Sequence, residues 1–223
     1  MTRLLALDTS TEACSVAFWA NGAVVEERYE LAERSHTQRL LPMVESVLQV
    51  AGLKLTDLDG LVCTRGPGSF TGIRVGVSAA QGLAFAADLP VIPLSTLEVL
   101  AWQGVQAAAD SKRWQVVMDA RMGEVYYAAY GWQDNVLSVL ADEQLLAPED
   151  LDVWADASVG RIGAGWQLPE LSKHTSLVEL ALPRAAAAAA LAAHKLQHDA
   201  AGLWQPPDAL QPVYLRDQVT HGR

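Results

Sequence analysis

Leu5-Ala6-Leu7-Asp8-Thr9-Ser10-Thr11, near the start of the chain, has a counterpart in Val116-Val117-Met118-Asp119-Ala120-Arg121 at its middle. Each is an apolar run closed by an aspartate, after which the chain turns back into a second extended run. Around the first copy, Arg3 to Asp8, Cys14 to Trp19 and Val24 to Tyr29 read as strands, the last two joined by Asn21-Gly22, a pair suited to a tight hairpin turn. Around the second, Trp114 to Asp119, Gly123 to Tyr130 and Val136 to Ala141 repeat the series. The repeat distance is too long for a solenoid, so the pattern predicts two pseudo-duplicated α/β domains.

Helices and further strands fill the intervals. Ser35 and Gln38 have capping-box spacing, Leu40, Val44, Val47, Leu48 and Ala51 recur at helical spacing, Gly52 is placed to end the segment, and Pro42 is expected to kink or restart it. A buried strand at Leu58 to Thr64, a glycine-rich loop, a helix from about Ser69 to Ala87 and a short strand at Val91 to Leu94 follow. Ser95 and Glu98 form another capping box, opening a helix toward Ala109. The second half adds a short helix around Pro148 to Trp154, a strand at Val159 to Gly163 and an alanine-rich helix from Arg184 to Gln197. We place the first domain at 1–97 and the second at 98–204, with a tail, 205–223, able to pack back on the first.

Composition narrows the function classes. The chain has 223 residues, 51% of them hydrophobic and 19% charged, enough to bury a substantial core. No apolar run approaches the roughly 20 residues of a membrane helix, and Met1-Thr2-Arg3-Leu4 leads into a strand instead of a signal peptide, so no membrane partner is expected and the cytoplasm is the default compartment. Cys14 and Cys63 lie in apolar runs without metal-site spacing and read as core residues. A formal charge of −10 repels phosphate, so nucleic acid is expected to be held mainly by a partner.

Two halves that each begin with strand, tight turn and strand resemble the actin-like fold of sugar kinases, actin and Hsp70, whose first turn faces nucleotide phosphates. Longer stretches are more specific: Leu5 to Ala17, Ser35-His36-Thr37, Arg65-Gly66-Pro67-Gly68-Ser69-Phe70-Thr71-Gly72-Ile73-Arg74, Asp119 to Tyr126 and Pro212-Val213-Tyr214-Leu215-Arg216. In that order they resemble the TsaB (YeaZ) family. The resemblance implies a non-catalytic subunit that pairs with its paralogue TsaD, works with the ATPase TsaE, and pairs with itself when alone. Together these would place threonylcarbamoyl on N6 of the adenosine next to the anticodon of tRNAs reading codons that begin with A. It implies no cofactor of the chain's own, ATP and metal belonging to partner subunits, and only indirect contact with tRNA. TsaD-type enzymes carry a metal-binding pair of histidines; aligned on Pro93 and Glu98, this chain has Thr96 and Leu100 there, which cannot replace imidazole ligands.

Several residues nonetheless admit chemistry. Asp8, with Thr9, could anchor a hydrated magnesium beside a nucleotide or could form an Asx-type turn. Gly66 to Gly72 lies between strand and helix, where amides can cradle phosphate, yet fits no P-loop spacing, and a tight turn with an N-cap at Ser69 or Thr71 is the structural alternative. Gly163 and Gly165 are placed like the adenosine-side glycines of the actin-like fold, as a remnant at best. His194 and His198 share a helix face at zinc-site spacing without a catalytic Glu between them, and a solvated helix end accounts for them as well. His36 has no identifiable nucleophile beside it and reads as local or interface structure. An actin-like small-molecule kinase or ATPase is the alternative function, and a metalloprotease a further one.

Gly72, Gly76, Ala80 and Ala84 follow at four-residue steps, leaving one helix face almost bare, with Ile73 and Val77 apolar beside it. Glycine within a helix costs roughly 1 kcal/mol against alanine, and close packing is the simplest compensation. Burial inside the subunit and a subunit interface both provide it; in the family the bundle shared with TsaD, or with a second TsaB, involves this helix and the preceding one. The expected interface is therefore Leu40, Val44, Val47, Gly72, Ile73, Gly76, Ala80 and Ala84.

Overall fold

Strand β1 (Leu4–Asp8) is buried along its whole length and is the central strand of a five-stranded sheet. The computed structural model describes residues 2–32, 34–108, 110–156, 158–174, 182–198 and 202–216. β2 (Ala13–Ala20) runs antiparallel to β1, and β3 (Ala23–Leu31) antiparallel to β2. Asn21 and Gly22 between them both take left-handed backbone angles, the geometry a two-residue hairpin turn requires. β4 (Gly60–Thr64) and β5 (Val91–Leu94) add in parallel, giving the order β3-β2-β1-β4-β5.

Two helices cover one face of this sheet. α1 (His36–Ala51) packs on β2 and β3, and α2 (Phe70–Ala87) on β4 and β1, side by side. Their inward residues, among them Leu40, Val44, Val47, Ile73 and Val77, form one core with Leu5, Leu7, Val16 and Cys63. Ser69 caps α2 through its side chain, which accepts a 3.2 Å hydrogen bond from the Gly72 N–H. Ser35 does not cap α1 in the expected way: its hydroxyl donates to the Ala32 carbonyl instead. Nor does Pro42 break α1, which runs through it unbroken; Pro42 and Gln38, the residue whose carbonyl it leaves without the helical bond, both lie on the exposed face.

The next helix, α3 (Thr96–Ala107), starts with Ser95 Oγ accepting from the Leu97 and Glu98 amides, while the Glu98 carboxylate pairs with Lys195. Ala109, the expected limit of that helix, is outside the described residues. A second sheet follows: β6 (Arg113–Arg121), β7 (Glu124–Gln133) and β8 (Val136–Leu146) form an antiparallel meander, and β9 (Val159–Ile162) joins β6 in parallel. Its order, β8-β7-β6-β9, repeats β3-β2-β1-β4 of the first sheet. The turn between β6 and β7 is built differently from the Asn21-Gly22 turn: Arg121 and Met122 precede Gly123, all three left-handed. For each non-glycine residue that conformation costs about 1–2 kcal/mol.

The chain divides into two compact units, one of residues 1–99 and 182–212 and the other of residues 100–181 and 213–223, so the division falls inside α3. This corrects the expected boundary at 98–204, because α4 (Ala185–His198) belongs to the first unit. Its alanines lie on β1 and β2, on the face opposite α1 and α2, where Ala6 and Ala17 offer side chains just as small. Its N-terminal amides are capped by distant side chains, Ala185 N–H donating to Ser15 Oγ at 2.9 Å and Ala186 N–H to Glu27 at 3.2 Å. The tail is divided too: Gln205 pairs with Val91 and Leu210 is buried in the first core, whereas Arg216 bonds Glu124 in the second unit. Residues 217–223 lie outside the described part.

In the second unit Trp114 is fully buried between two glycines, Gly104 of α3 and Gly160 of β9, and a methyl group at either position would overlap its ring. Gly104→Ala and Gly160→Ala are each expected to lower unfolding stability by about 1–3 kcal/mol. Gly82→Ala, in α2 where nothing stands within 4 Å, is expected to be neutral or to stabilise by up to about 1 kcal/mol. Urea denaturation of the three variants checks the contrast.

Candidate functional site

Asp8, Thr9, Ser10 and Thr11 are all buried. Asp8 accepts hydrogen bonds from the Ser10 amide at 3.3 Å and the Ser10 hydroxyl at 3.0 Å, which closes an Asx-type turn. Thr9 Oγ1 donates to the Gly72 carbonyl at 2.7 Å, and the Ser69 amide donates to the Ser10 carbonyl at 2.7 Å. Three glycines complete the contact. A Cβ at Gly68 would overlap the Ser10 carbonyl, one at Gly72 the Thr9 carbonyl, and one at Gly76 the Thr9 hydroxyl. The turn that would face phosphates in an actin-like enzyme is here the floor on which α2 rests.

Burial pushes the Asp8 carboxyl up to about 6, against the hydrogen bonds from Ser10 that favour its charged form. The thiols are likewise disfavoured as nucleophiles: burial pushes Cys14 up to about 12 and Cys63 higher still. Gly163 and Gly165 follow the same packing rule as the first-unit glycines, since a Cβ on either would strike the Val117 backbone. Thr96 and Leu100 are fully buried in α3. Among the described residues no group of three or more His, Cys, Asp or Glu is placed to hold a metal ion. His36 Nε2 lies 3.2 Å from the Ala13 carbonyl and ties the start of α1 to β2. The His194 and His198 rings are 4.4 Å apart, centroid to centroid, on α4.

The expected interface residues are not at the surface. Leu40, Val44, Val47, Gly72, Ile73, Gly76, Ala80 and Ala84 are all buried within the first unit, because the glycine stripe is consumed by the approach of α2 to Thr9. The outward faces of α1 and α2 carry a different set. Leu41 and Val50 of α1 are exposed, and on α2 Thr71, Ser78, Gly82 and Phe85 are, Phe85 at 83%. The signal for this register was present in the sequence: Thr71, Arg74, Ser78 and Gln81 place the polar stripe of α2 on the side opposite Ile73, Val77, Ala80 and Ala84.

Together, the repeated strand order and the Asx turn of the first unit define an actin-like α/β protein whose first turn is closed by its own helix. Comparison with known proteins narrows the class. Residues 27–204 match the family described as TsaD: tRNA N6-adenosine threonylcarbamoyltransferase. The chain is 43% identical to the tRNA threonylcarbamoyladenosine biosynthesis protein TsaB of Escherichia coli K12, over 97% of this chain and 96% of that one. With the protein of the same name from Haemophilus influenzae it shares 38% over 97% and 94%. Among solved structures, YeaZ from Pseudomonas aeruginosa matches with a TM-score of 0.87 at 38% identity, covering 96% of this chain and all of that one. The chain belongs to the TsaB (YeaZ) family, within the group of proteins that share the TsaD domain.

Two variants probe the closed turn. The raised pKa of Asp8 means that its ionised form is tolerated less well in the folded protein than in the unfolded chain. Its contribution to stability is therefore fully present below about pH 3.8 and is lost as pH rises through about 6. Asp8→Asn keeps a hydrogen-bonding partner for Ser10 without the charge. Its advantage over the parent is expected to be largest above pH 6, on the order of 2–3 kcal/mol, and to shrink toward pH 4, as followed by thermal melting across pH. Gly76→Leu, which drives a side chain into Thr9, is expected to lower the melting temperature sharply instead of selectively weakening a partner complex.

Proposed function

We propose that this chain is the non-catalytic scaffold and activator subunit of the tRNA threonylcarbamoyladenosine transferase. It pairs with TsaD, works with TsaE, and acts in the cytoplasm. Threonylcarbamoyl transfer to N6 of the adenosine next to the anticodon then occurs on TsaD, and ATP and metal are bound by the partner subunits. The observation that carries this reading is the closed Asp8–Thr11 turn packed against α2, a helix that with α1 exposes Leu41, Val50 and Phe85 among polar residues on its outer face. Gly68, Gly72 and Gly76 rest on the Ser10 and Thr9 carbonyls and the Thr9 hydroxyl, and the Ser10 amide is already bonded to Asp8, which leaves the turn poorly suited to cradle a phosphate. The chain charge of −10 further favours contact with tRNA through a partner.

The docking surface in this reading is the outward face of α1 and α2, centred on Leu41, Val50, Gly82 and Phe85, in place of the buried stripe. Gly82 has open space above it and lets a partner helix come close, while Phe85 supplies an aromatic anchor. The same surface would pair with a second copy when TsaD is absent.

Phe85→Asp is expected to leave the melting temperature within about 2 °C of the parent, since the ring is exposed. It should weaken TsaD binding at least about tenfold and lower tRNA modification in the reconstituted system in step. Co-purification with TsaD and a modification assay with and without the chain test the reading. Turnover of ATP by the isolated chain, or full modification in its absence, would overturn it in favour of a small-molecule kinase or ATPase.

A further inference from the structure

The chain has two asparagines, in Asn21-Gly22 and Asn135-Val136, and one Asp-Gly pair, Asp59-Gly60. At such pairs the amide nitrogen of the second residue can attack the side-chain carbonyl of the first. The attack needs an unshielded amide, which glycine provides and a β-branched residue such as Val136 does not. It also needs a first side chain free to swing onto that amide. At Asp59-Gly60 the fold denies both. The Asp59 carboxylate accepts from the Arg3 amide at 2.7 Å, and Gly60 is buried in the ladder opposite Leu4, with the Trp204 ring where a Cβ would stand.

Asn21-Gly22 differs at each point. Residues 21–25 are all exposed, and nothing stands within 4 Å of a Cβ placed on Gly22. Among the described residues no group bonds the Asn21 side-chain amide. The turn closes a hairpin whose outer strand, β3, is the edge of its sheet, and a register irregularity between Phe18 and Trp19 interrupts the ladder just before it. An exposed hairpin end next to such an interruption opens locally at little cost. Opening matters because the closed turn, with φ 57° at Asn21 and 82° at Gly22, fixes the backbone between the two reacting groups.

We propose that Asn21 is a site of spontaneous covalent modification, its side-chain amide being lost to leave aspartate and isoaspartate. In the opened turn the Gly22 nitrogen attacks Asn21 Cγ and gives its proton to solvent. The new N–Cγ bond closes a five-membered imide, and the side-chain nitrogen leaves as ammonia. Water then opens the imide at either carbonyl, giving aspartate when the side-chain carbonyl is attacked and isoaspartate when the main-chain one is. Neither oxidant nor reductant is required. The isoaspartyl product routes the backbone through the side chain and adds a methylene to a hairpin loop built for two residues, so the β2–β3 register is lost at this end.

The test incubates the full chain under native conditions across pH 6 to 9, a range of about three decades in hydroxide, and repeats the incubation in urea. Mass spectrometry follows conversion of each asparagine, and an isoaspartyl methyltransferase with labelled S-adenosylmethionine scores isoaspartate. Native Asn21 is expected to convert faster as pH rises, within about tenfold of its rate in urea, and at least about tenfold faster than Asn135. Asn21→Gly keeps a pair suited to the turn and is expected to abolish methyl acceptance by the native chain. An Asn21 that converts in urea but stays intact in the native chain overturns the proposal, because the folded turn then protects it. Undiminished methyl acceptance by Asn21→Gly overturns it as well, by placing the isoaspartate elsewhere.

Discussion

Backbone meets backbone where α2 crosses the end of β1, and the first unit is organised around that contact. Gly68, Gly72 and Gly76 lack the side chains that would hold the helix off, so the Thr9 and Ser10 carbonyls, the Thr9 hydroxyl and the Gly72 carbonyl come into direct register. Once this distance is set, the rotation of α2 is set with it. Ile73, Val77, Ala80 and Ala84 must face the sheet, and Arg74, Ser78, Gly82 and Phe85 must face away. α1 then packs beside α2 on the same core. Glycine in a helix is unfavourable by roughly 1 kcal/mol, and here the contact it permits accounts for its presence at 72 and 76 but not at 82.

The second unit obeys the same rule in miniature. After the fourth strand of each sheet the chain returns across the end of the first: α2 follows β4 in one, and a short turn at Ala164–Gln167 follows β9 in the other. Gly163 and Gly165 press on the Val117 and Met118 backbone as Gly68 and Gly72 press on Ser10 and Thr9. Both aspartates that close the first strands accept from the amide two residues on, Asp8 from Ser10 and Asp119 from Arg121. Glycines placed like a nucleotide fingerprint are thus explained twice over by one packing requirement.

That requirement also separates what was legible in the sequence from what was not. The strands and their duplication followed from alternation and turn residues, which act locally, and the observed strand orders repeat as the paired Leu-Asp8 and Met-Asp119 runs imply. The small-residue stripe on α2 was equally visible, but its direction was not. Helical spacing reports that Gly72, Gly76, Ala80 and Ala84 share a face, whereas Thr9, more than sixty residues earlier, decides that this face is buried. Assignment of α4 failed for a similar reason. An alanine-rich helix fits any close surface, and Ser15 and Glu27, 170 and 159 residues upstream of the amides they cap, tie its N-terminus to the first sheet.

The chemistry of Asp8 itself bears on what the turn can hold. Asp8 is fully buried and bonded to Ser10 through both the amide and the hydroxyl, so a cation or phosphate entering there would have to displace Ser10 and would meet a carboxyl whose charged form burial already disfavours. The same helix that packs on the turn leaves Phe85 and the open space over Gly82 outside, so the closed first turn and the exposed side chain on which the proposed docking face is centred are consequences of one packing arrangement.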